Sequence, residues 1–322
     1  MRVGSDFSGV GAFDQALIRL GIEYTTVFAC DMDKYARQTY IENYGEPKYY
    51  PENVYDREIP KEPLDIYMTS PPCQAFSIAG KKKGETDKRG VLFYNSHEFI
   101  IKNRPRYFIF ENVKGLLSDD NGKTFQRWID LLAKSVNGNP MIFPHDDSAN
   151  YHVYHMVLNT KDYGVPQNRE RIFIIGIRDD KDNSFRFPKT QHLTKRLKDI
   201  LEETVSDKYK LNKNQLESIK GQHEHKEEFI ADYRTDEGLR IRDYLAPCMT
   251  ASMKKPDENM TRGNCVPFIK NGIIRTLTPR ECFRLQDFPD TFKMPCSDSQ
   301  MYKQAGNSIT VGVLYNILKN LL

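Results

Sequence analysis

Cys73 follows two prolines, Pro71 and Pro72, which themselves follow the apolar run Asp65-Ile66-Tyr67-Met68-Thr69. A thiol held just past a strand end by two stiff residues could meet a reacting atom, and its chemistry there is nucleophilic addition. The same residue also reads as a small buried hydrophobe, the commoner fate of an isolated cysteine. Glu111-Asn112-Val113 ends another apolar run, Tyr107–Phe110. Desolvation there would raise the pKa of Glu111 and keep a proton available, although a capping or ion-paired glutamate fits the same position. In Gln167-Asn168-Arg169-Glu170-Arg171, strand alternation puts Arg169 and Arg171 on one side. Two guanidinium groups side by side can lower a thiol pKa and donate to a carbonyl oxygen; an exposed edge strand gives the same pattern.

A second set of residues points to a cofactor. Asp6-Phe7-Ser8-Gly9-Val10-Gly11 lies between an expected strand and an expected helix. Glycines let the backbone approach a ligand, and the helix N-terminus behind them favours an anionic group. Asp31 follows the next strand, where a carboxylate can hydrogen-bond a ribose. Together they indicate an adenosine-bearing cofactor without separating NAD from S-adenosylmethionine (SAM). The third glycine of a dinucleotide fingerprint would fall at Asp14, which argues against NAD.

The elements that must position these groups alternate in type. Strands are expected at 2–6, Tyr24–Cys30, 65–69, Arg106–Glu111, Tyr151–Leu158 and Arg171–Ile177, and helices at Ala12–Leu20, Asp33–Tyr44 with Asp33 as N-cap, and 123–134. Repeated β-α-β units predict a parallel sheet with helices on both faces, an α/β doubly wound Rossmann-like domain. Ligands gather at the carboxyl ends of strands in such sheets, and Phe7, Asp31, Cys73 and Glu111 all fall there. The pattern fades after Phe187, and 188–272 reads as a smaller irregular domain. Order returns at Thr278-Pro279-Arg280-Glu281, with Thr278 as N-cap, Pro279 at N1 and Glu281 closing a capping box. Ser308–Leu321 reads as a final amphipathic helix that packs on the first domain.

Composition sets the bounds. A length of 322 residues suits one large domain and one smaller. The net charge of +3 permits a nucleic-acid partner without demanding one. The six cysteines form no CxxC pair, and His152 and His155 would face opposite sides of a strand, so neither a disulfide framework nor a metal site is expected and a reducing cytoplasm fits. There is no 18-residue apolar span to cross a membrane and no signal peptide to read.

Six motifs in order resemble the cytosine-C5 DNA methyltransferases of bacterial or phage type. Phe7-Ser8-Gly9-Val10-Gly11 is similar to the family's cofactor motif, and Pro71-Pro72-Cys73-Gln74-Ala75-Phe76-Ser77 to its nucleophile motif. Glu111-Asn112-Val113 resembles the glutamate motif and Gln167-Asn168-Arg169-Glu170-Arg171 the arginine motif. Arg275–Cys282 resembles a late structural helix, and Gln304-Ala305-Gly306-Asn307-Ser308 the last motif.

The resemblance implies a SAM-dependent catalytic domain at 1–187 and 273–322, and a target-recognition domain at 188–272. It implies that Cys73 adds to cytosine C6, that Glu111 hydrogen-bonds N3 and the exocyclic amine, and that Arg169 and Arg171 hold O2. For SAM, with S-adenosylhomocysteine as product, it implies Phe7, Ser8, Gly9, Val10, Gly11, Asp31, Met32, Asn53, Val54, Pro72, Leu92, Asn307 and Ser308. Asn53 stands where the family often has Asp, and Met32 where a large aromatic is common. Double-stranded DNA is the implied partner, with the base flipped out of the duplex. The basic segment 78–92 would close over it, and Gln74, Ser77, Lys81, Lys82, Lys83, Arg89 and Thr250 would contact DNA. A monomer is expected, with a cognate restriction endonuclease, acting separately, as a candidate partner. The competing readings are an RNA (tRNA) cytosine methyltransferase with the same site, a non-catalytic DNA-binding relative, and a nicotinamide oxidoreductase.

Overall fold

The computed structural model describes residues 1–72, 92–178, 180, 184–214, 229–234, 238–242, 245–251, 267–270 and 273–322. The chain divides into two compact units, Met1–Leu158 with Glu170–Pro188 and Tyr315–Leu322, and Asn159–Arg169 with Lys189–Leu314.

The first unit is built on β1 (Arg2–Asp6), α1 (Ala12–Arg19), β2 (Thr25–Cys30), α2 (Lys34–Tyr44), β3 (Ile66–Thr69), α3 (Leu92–Asn103), β4 (Tyr107–Val113), α4 (Lys123–Leu132), β5 (Ala133–Val136), β6 (Asn139–Pro140), β7 (Tyr151–Asn159) and β8 (Glu170–Arg178). Local chemistry explains several boundaries. Asp33 caps α2 by accepting from the amides of Tyr35 and Ala36 at 3.0 and 3.3 Å. Gly11, at φ 80°, turns the chain into α1. α3 was not expected from sequence; its buried face is Phe93, Ser96, His97, Phe99, Ile100 and Asn103, and the basic run before it masks that stripe. α4 stops at Leu132 rather than continuing to residue 134, because Ala133 is extended (φ −105°, ψ 143°) and begins the strand that pairs with β7.

The eight strands lie in the order β2-β1-β3-β4-β8-β7-β5-β6. β2, β1, β3 and β4 are parallel, as expected for βαβ units. The all-parallel expectation fails at β8, which pairs antiparallel with β4 through seven residue pairs, so the sheet is mixed. The connection from β7 to β8 holds only a short 3₁₀ turn, Thr160–Tyr163. It carries no α-helix of the kind that usually returns a chain parallel to its neighbour. Gly176 in β8 admits the ring of Phe108 from β4: a Cβ there would lie 1.9 Å from Phe108 Cε1. Aromatic packing fills the core, with Tyr67 stacked on Phe99 at 4.2 Å and Phe93 on Trp128 at 4.1 Å between ring centroids.

The second unit holds a four-stranded antiparallel sheet, in the order β10-β9-β11-β12, of β9 (Phe229–Arg234), β10 (Gly238–Arg242), β11 (Pro267–Lys270) and β12 (Ile273–Thr276). Sequence reading resolved no strands there. It also holds α5 (Pro279–Arg284) and α6 (Asp298–Asn307), and α7 (Val311–Leu321) begins in it. Thr278 caps α5 and Glu281 closes the capping box. Glu281 also takes a bidentate pair from Arg275 at 2.7 and 2.8 Å, fixing the turn between β12 and α5. The single expected helix from Ser308 starts three residues later, at Val311, and α6 ends just before it at Asn307.

Candidate active site

The first unit gathers one set of predicted residues at the carboxyl rim of its sheet. Asp6 pairs in register with Cys30 and with Thr69, and Thr69 with Phe110, so β1, β2 and β3 end together at the level of Phe110, and β4 runs on to Val113 beside β8. Phe7, Asp31 and Ser70-Pro71-Pro72 therefore leave the sheet on the edge where Glu111, the residue after Phe110, continues β4.

The loop after β1 is tightly specified. Phe7 has φ 57°, a left-handed conformation that costs a non-glycine residue about 1–2 kcal/mol. Neighbours hold it: Ser70 Oγ donates to the Phe7 carbonyl at 3.3 Å, and the Ser8 amide donates to the Cys30 carbonyl at 2.9 Å. Gly9 (φ 55°) donates its amide to Asp31 Oδ2 at 2.8 Å. Asp31 Oδ1 accepts from the Asp33 amide at 2.8 Å. Burial raises the pKa of Asp31, and these amide donors act against that shift. Each carboxylate oxygen retains a second lone pair for a ligand hydroxyl. Tyr44 closes the loop from behind, its hydroxyl donating to the Gly11 carbonyl at 2.9 Å. Its ring explains the glycine, since a Cβ at Gly11 would lie 2.1 Å from Tyr44 Cε2.

The remaining cofactor candidates in this unit differ in setting. Met32 is 83% exposed, a free apolar face beside Asp31. Val54 is buried, while Asn53 is exposed and its side-chain oxygen accepts from the Tyr55 amide at 3.1 Å. That bond occupies one lone pair of the Asn53 side-chain carbonyl. Val10 is buried within the loop, Pro72 is half-buried, and Leu92 is the half-buried first residue of α3.

Glu111 and Arg171 form the chemical pair of the rim. In the antiparallel β4–β8 register Glu111 faces Phe173 and Val113 faces Arg171, which puts Glu111 and Arg171 on one face of the sheet as diagonal neighbours. Arg171 Nε lies 3.1 Å from Glu111 Oε1, and both side chains are largely buried. Cys30, the last residue of β2, is buried, and burial pushes its thiol up to about 12. A thiol with that pKa is not a nucleophile at neutral pH.

Arg169, Thr250, Asn307 and Ser308 belong to the second unit. There Arg169 Nη1 donates to the Met249 carbonyl at 2.8 Å, and Nη2 to the Ser308 and Gly306 carbonyls at 2.7 and 3.2 Å. The two arginines thus differ in partners: Arg171 pairs with the Glu111 carboxylate and donates Nη1 to the Glu170 carbonyl at 2.8 Å, whereas Arg169 donates to the main-chain carbonyls of Met249, Gly306 and Ser308. Cys73, Gln74, Ser77, Lys81, Lys82, Lys83 and Arg89 lie outside the described residues.

Sequence reading missed the groups beneath the loop. Asp6, the last residue of β1, accepts from Arg57 Nε at 2.8 Å and from the Tyr67 hydroxyl at 2.6 Å, and all three are buried. Tyr67 was legible only as a core residue, and nothing local marks Arg57. Among the described residues no group of three or more His, Cys, Asp or Glu side chains could hold a metal ion.

A family model described as C-5 cytosine-specific DNA methylase matches residues 1–322. The chain is 34% identical over 334 residues to Type II methyltransferase M.Bsp6I of Bacillus sp. (strain RFL6), covering 100% of this chain and 98% of that protein. It is 34% identical over 323 residues to Type II methyltransferase M.HhaI of Haemophilus parahaemolyticus, covering 98% and 92%. Among solved structures, the Entamoeba histolytica methyltransferase EhMeth matches with a TM-score of 0.72 at 18% identity, over 100% of this chain and 97% of that one. S. pombe Dnmt2 methyltransferase matches with a TM-score of 0.69 at 18% identity, over 100% and 98%. At that identity the structural likeness speaks for the fold alone.

Proposed function

The chain belongs to the C-5 cytosine-specific DNA methylases, and from that premise we propose that it methylates cytosine within a specific duplex DNA sequence, using SAM and with Cys73 as nucleophile. The observation that carries the reading is the shared rim. The Glu111–Arg171 pair stands at the same strand ends as the Phe7–Gly11 loop and Asp31, and Pro71-Pro72 leads from that rim to Cys73.

The residues fit SAM. Asp31 offers spare lone pairs to ribose hydroxyls, and Met32 an exposed apolar face to a base. The N-terminus of α1 suits a carboxylate. Phe7, Ser8, Gly9, Val10, Gly11, Asn53, Val54, Pro72 and Leu92 complete the proposed set in this unit, and Asn307 and Ser308 are proposed for the methionine end on their motif. When bound, SAM supplies the methyl group that ends on C5, and S-adenosylhomocysteine remains.

The protein's own groups do the rest. The Cys73 thiolate forms a bond to C6, which moves the C5=C6 electron pair to C5 and makes that carbon nucleophilic. Glu111 hydrogen-bonds N3 and the exocyclic amine, stabilising charge that develops on the ring. Arg171 holds Glu111 and donates to O2. Once C5 is methylated, loss of its proton to a base re-forms the double bond and expels the Cys73 thiolate. A stacked cytosine cannot reach these groups, so the base is flipped. Residues 188–272 would read the target. Gln74, Ser77, Lys81, Lys82, Lys83, Arg89 and Thr250 would hold the DNA, the cations through its phosphates.

Bisulfite sequencing of DNA from a host expressing the chain tests the proposal. The expected result is new 5-methylcytosine in one sequence context, absent with Cys73→Ala. Labelled methyl transfer to tRNA and not to duplex DNA would replace this reading with an RNA one.

A further inference from the structure

Arg169 is buried in the second unit, and its guanidinium is shared between two segments far apart in sequence. Nη1 donates to the Met249 carbonyl at 2.8 Å and faces Cys248 Sγ at 3.4 Å. Nη2 donates to the Ser308 carbonyl at 2.7 Å and the Gly306 carbonyl at 3.2 Å. The Nη nitrogens carry four hydrogens, so each already has an acceptor within the protein.

A separate observation ties the same segments together. Gly306 lies directly against the backbone of residues 250 and 251: a Cβ there would fall 2.2 Å from the Thr250 oxygen and 2.6 Å from the Ala251 nitrogen. Gln167 adds to the join. Its side-chain oxygen accepts from the Met249 amide at 3.1 Å, and its amide donates to the Leu285 carbonyl at 2.7 Å. On the other side, Gln286 donates to the Ala305 carbonyl at 2.8 Å. The segments 248–251 and 305–308 therefore share one backbone-to-backbone contact and one guanidinium clasp.

These segments carry residues assigned to different ligands. Thr250 is the proposed DNA contact, and Asn307 and Ser308 the proposed SAM contacts. We infer that Arg169 is a positioning residue that couples cofactor binding to DNA binding, by holding 248–251 and 305–308 in one fixed geometry. The inference rests on the ligand assignments above. The planar fork of arginine suits the task, because its nitrogens point to the two segments at once; the single ammonium of lysine cannot span both in the same way. Linkage requires that a coupling of this kind be reciprocal: the factor by which cofactor tightens DNA is the factor by which DNA tightens cofactor.

The test is a binding cycle on the full chain, with S-adenosylhomocysteine and a duplex carrying the cytosine context identified by bisulfite sequencing. Dissociation constants are measured for each ligand alone and in the presence of the other, for the native chain, Arg169→Gln, Arg169→Lys and Gly306→Ala. The native chain is expected to show a coupling factor of about tenfold, within the usual range for linked sites. In each variant that factor should fall towards one, while affinity for each ligand alone changes less. A merely structural role would move stability and leave the factor in place. Variants with native coupling, or a native chain that binds both ligands independently, overturn the inference. A native chain that binds neither ligand overturns instead the function proposed above. Should the variants not fold, hydrogen exchange on the unaltered protein decides: S-adenosylhomocysteine alone should slow exchange at 249–251 as well as at 305–308, and protection confined to 305–308 overturns the clasp.

Discussion

Arg57 reaches from outside β1 to its last residue, Asp6, donating from Nε to Oδ1 at 2.8 Å with both side chains almost wholly buried. The guanidinium also lies over the Phe99 ring at 4.4 Å from its centroid. The next residue, Phe7, begins the left-handed turn of the proposed cofactor loop. The ion pair therefore sits at the base of that loop. A buried pair of this kind is only weak evidence for added stability, but breaking it leaves one charge without compensation. Arg57→Leu and Asp6→Leu should each destabilise the protein by about 3–5 kcal/mol, and the double replacement by less than their sum. Urea denaturation of the three variants checks this; strictly additive losses would refute the coupling.

Asp14, buried in α1, accepts from the Tyr40 hydroxyl at 2.8 Å, and burial pushes its carboxyl up to about 6. The folded state thus holds a proton more tightly than the unfolded chain, whose carboxyl titrates near 3.8. Stability from this group is complete below pH 3.8, declines as pH rises between the two values, and stays low above about 6. The loss at neutral pH is roughly 3 kcal/mol. Asp14→Asn keeps a carbonyl acceptor for Tyr40 and removes the titration. It should raise the melting temperature at pH 7.5 and lose that advantage below pH 4. Parallel stability–pH curves for the two proteins would exclude the effect.

Glu111→Gln should leave S-adenosylhomocysteine affinity within about twofold and lower the single-turnover methylation rate by about 10²–10⁴, the usual contribution of a positioned acid. Arg171→Ala should act in the same direction, because it leaves Glu111 without its partner at 3.1 Å. A loss confined to cofactor binding would place the pair outside the chemistry.

Two cysteines separate by reactivity. The buried Cys30 thiol, raised to about 12, should resist alkylation at pH 8 in the native protein, while Cys73 should react and be protected by bound substrate. Cys73→Ala should abolish turnover without unfolding the chain. Peptide mapping after iodoacetamide treatment distinguishes the sites, and turnover in the alanine variant would end the proposal for Cys73.

What the sequence by itself determined was what short segments settle among themselves. The Asp33 cap and the Thr278–Glu281 capping box are satisfied within three residues, so their residue types announce them. The parallel pairing of β2, β1, β3 and β4 follows from alternating strand and helix periods, and it carries Phe7, Asp31 and Glu111 to one rim. α3 escaped notice because its buried stripe begins directly behind a basic run. Only the tertiary structure decided the direction of β8 beside β4, and with it the meeting of Glu111 with Arg171. It alone supplied Arg57 to Asp6 across 51 residues, and gave Arg169 carbonyls that lie 80, 137 and 139 residues away. The physical reason is common to these cases. A guanidinium requires acceptors but does not specify where in the chain they come from, so a charge that is satisfied at long range leaves no local pattern to read.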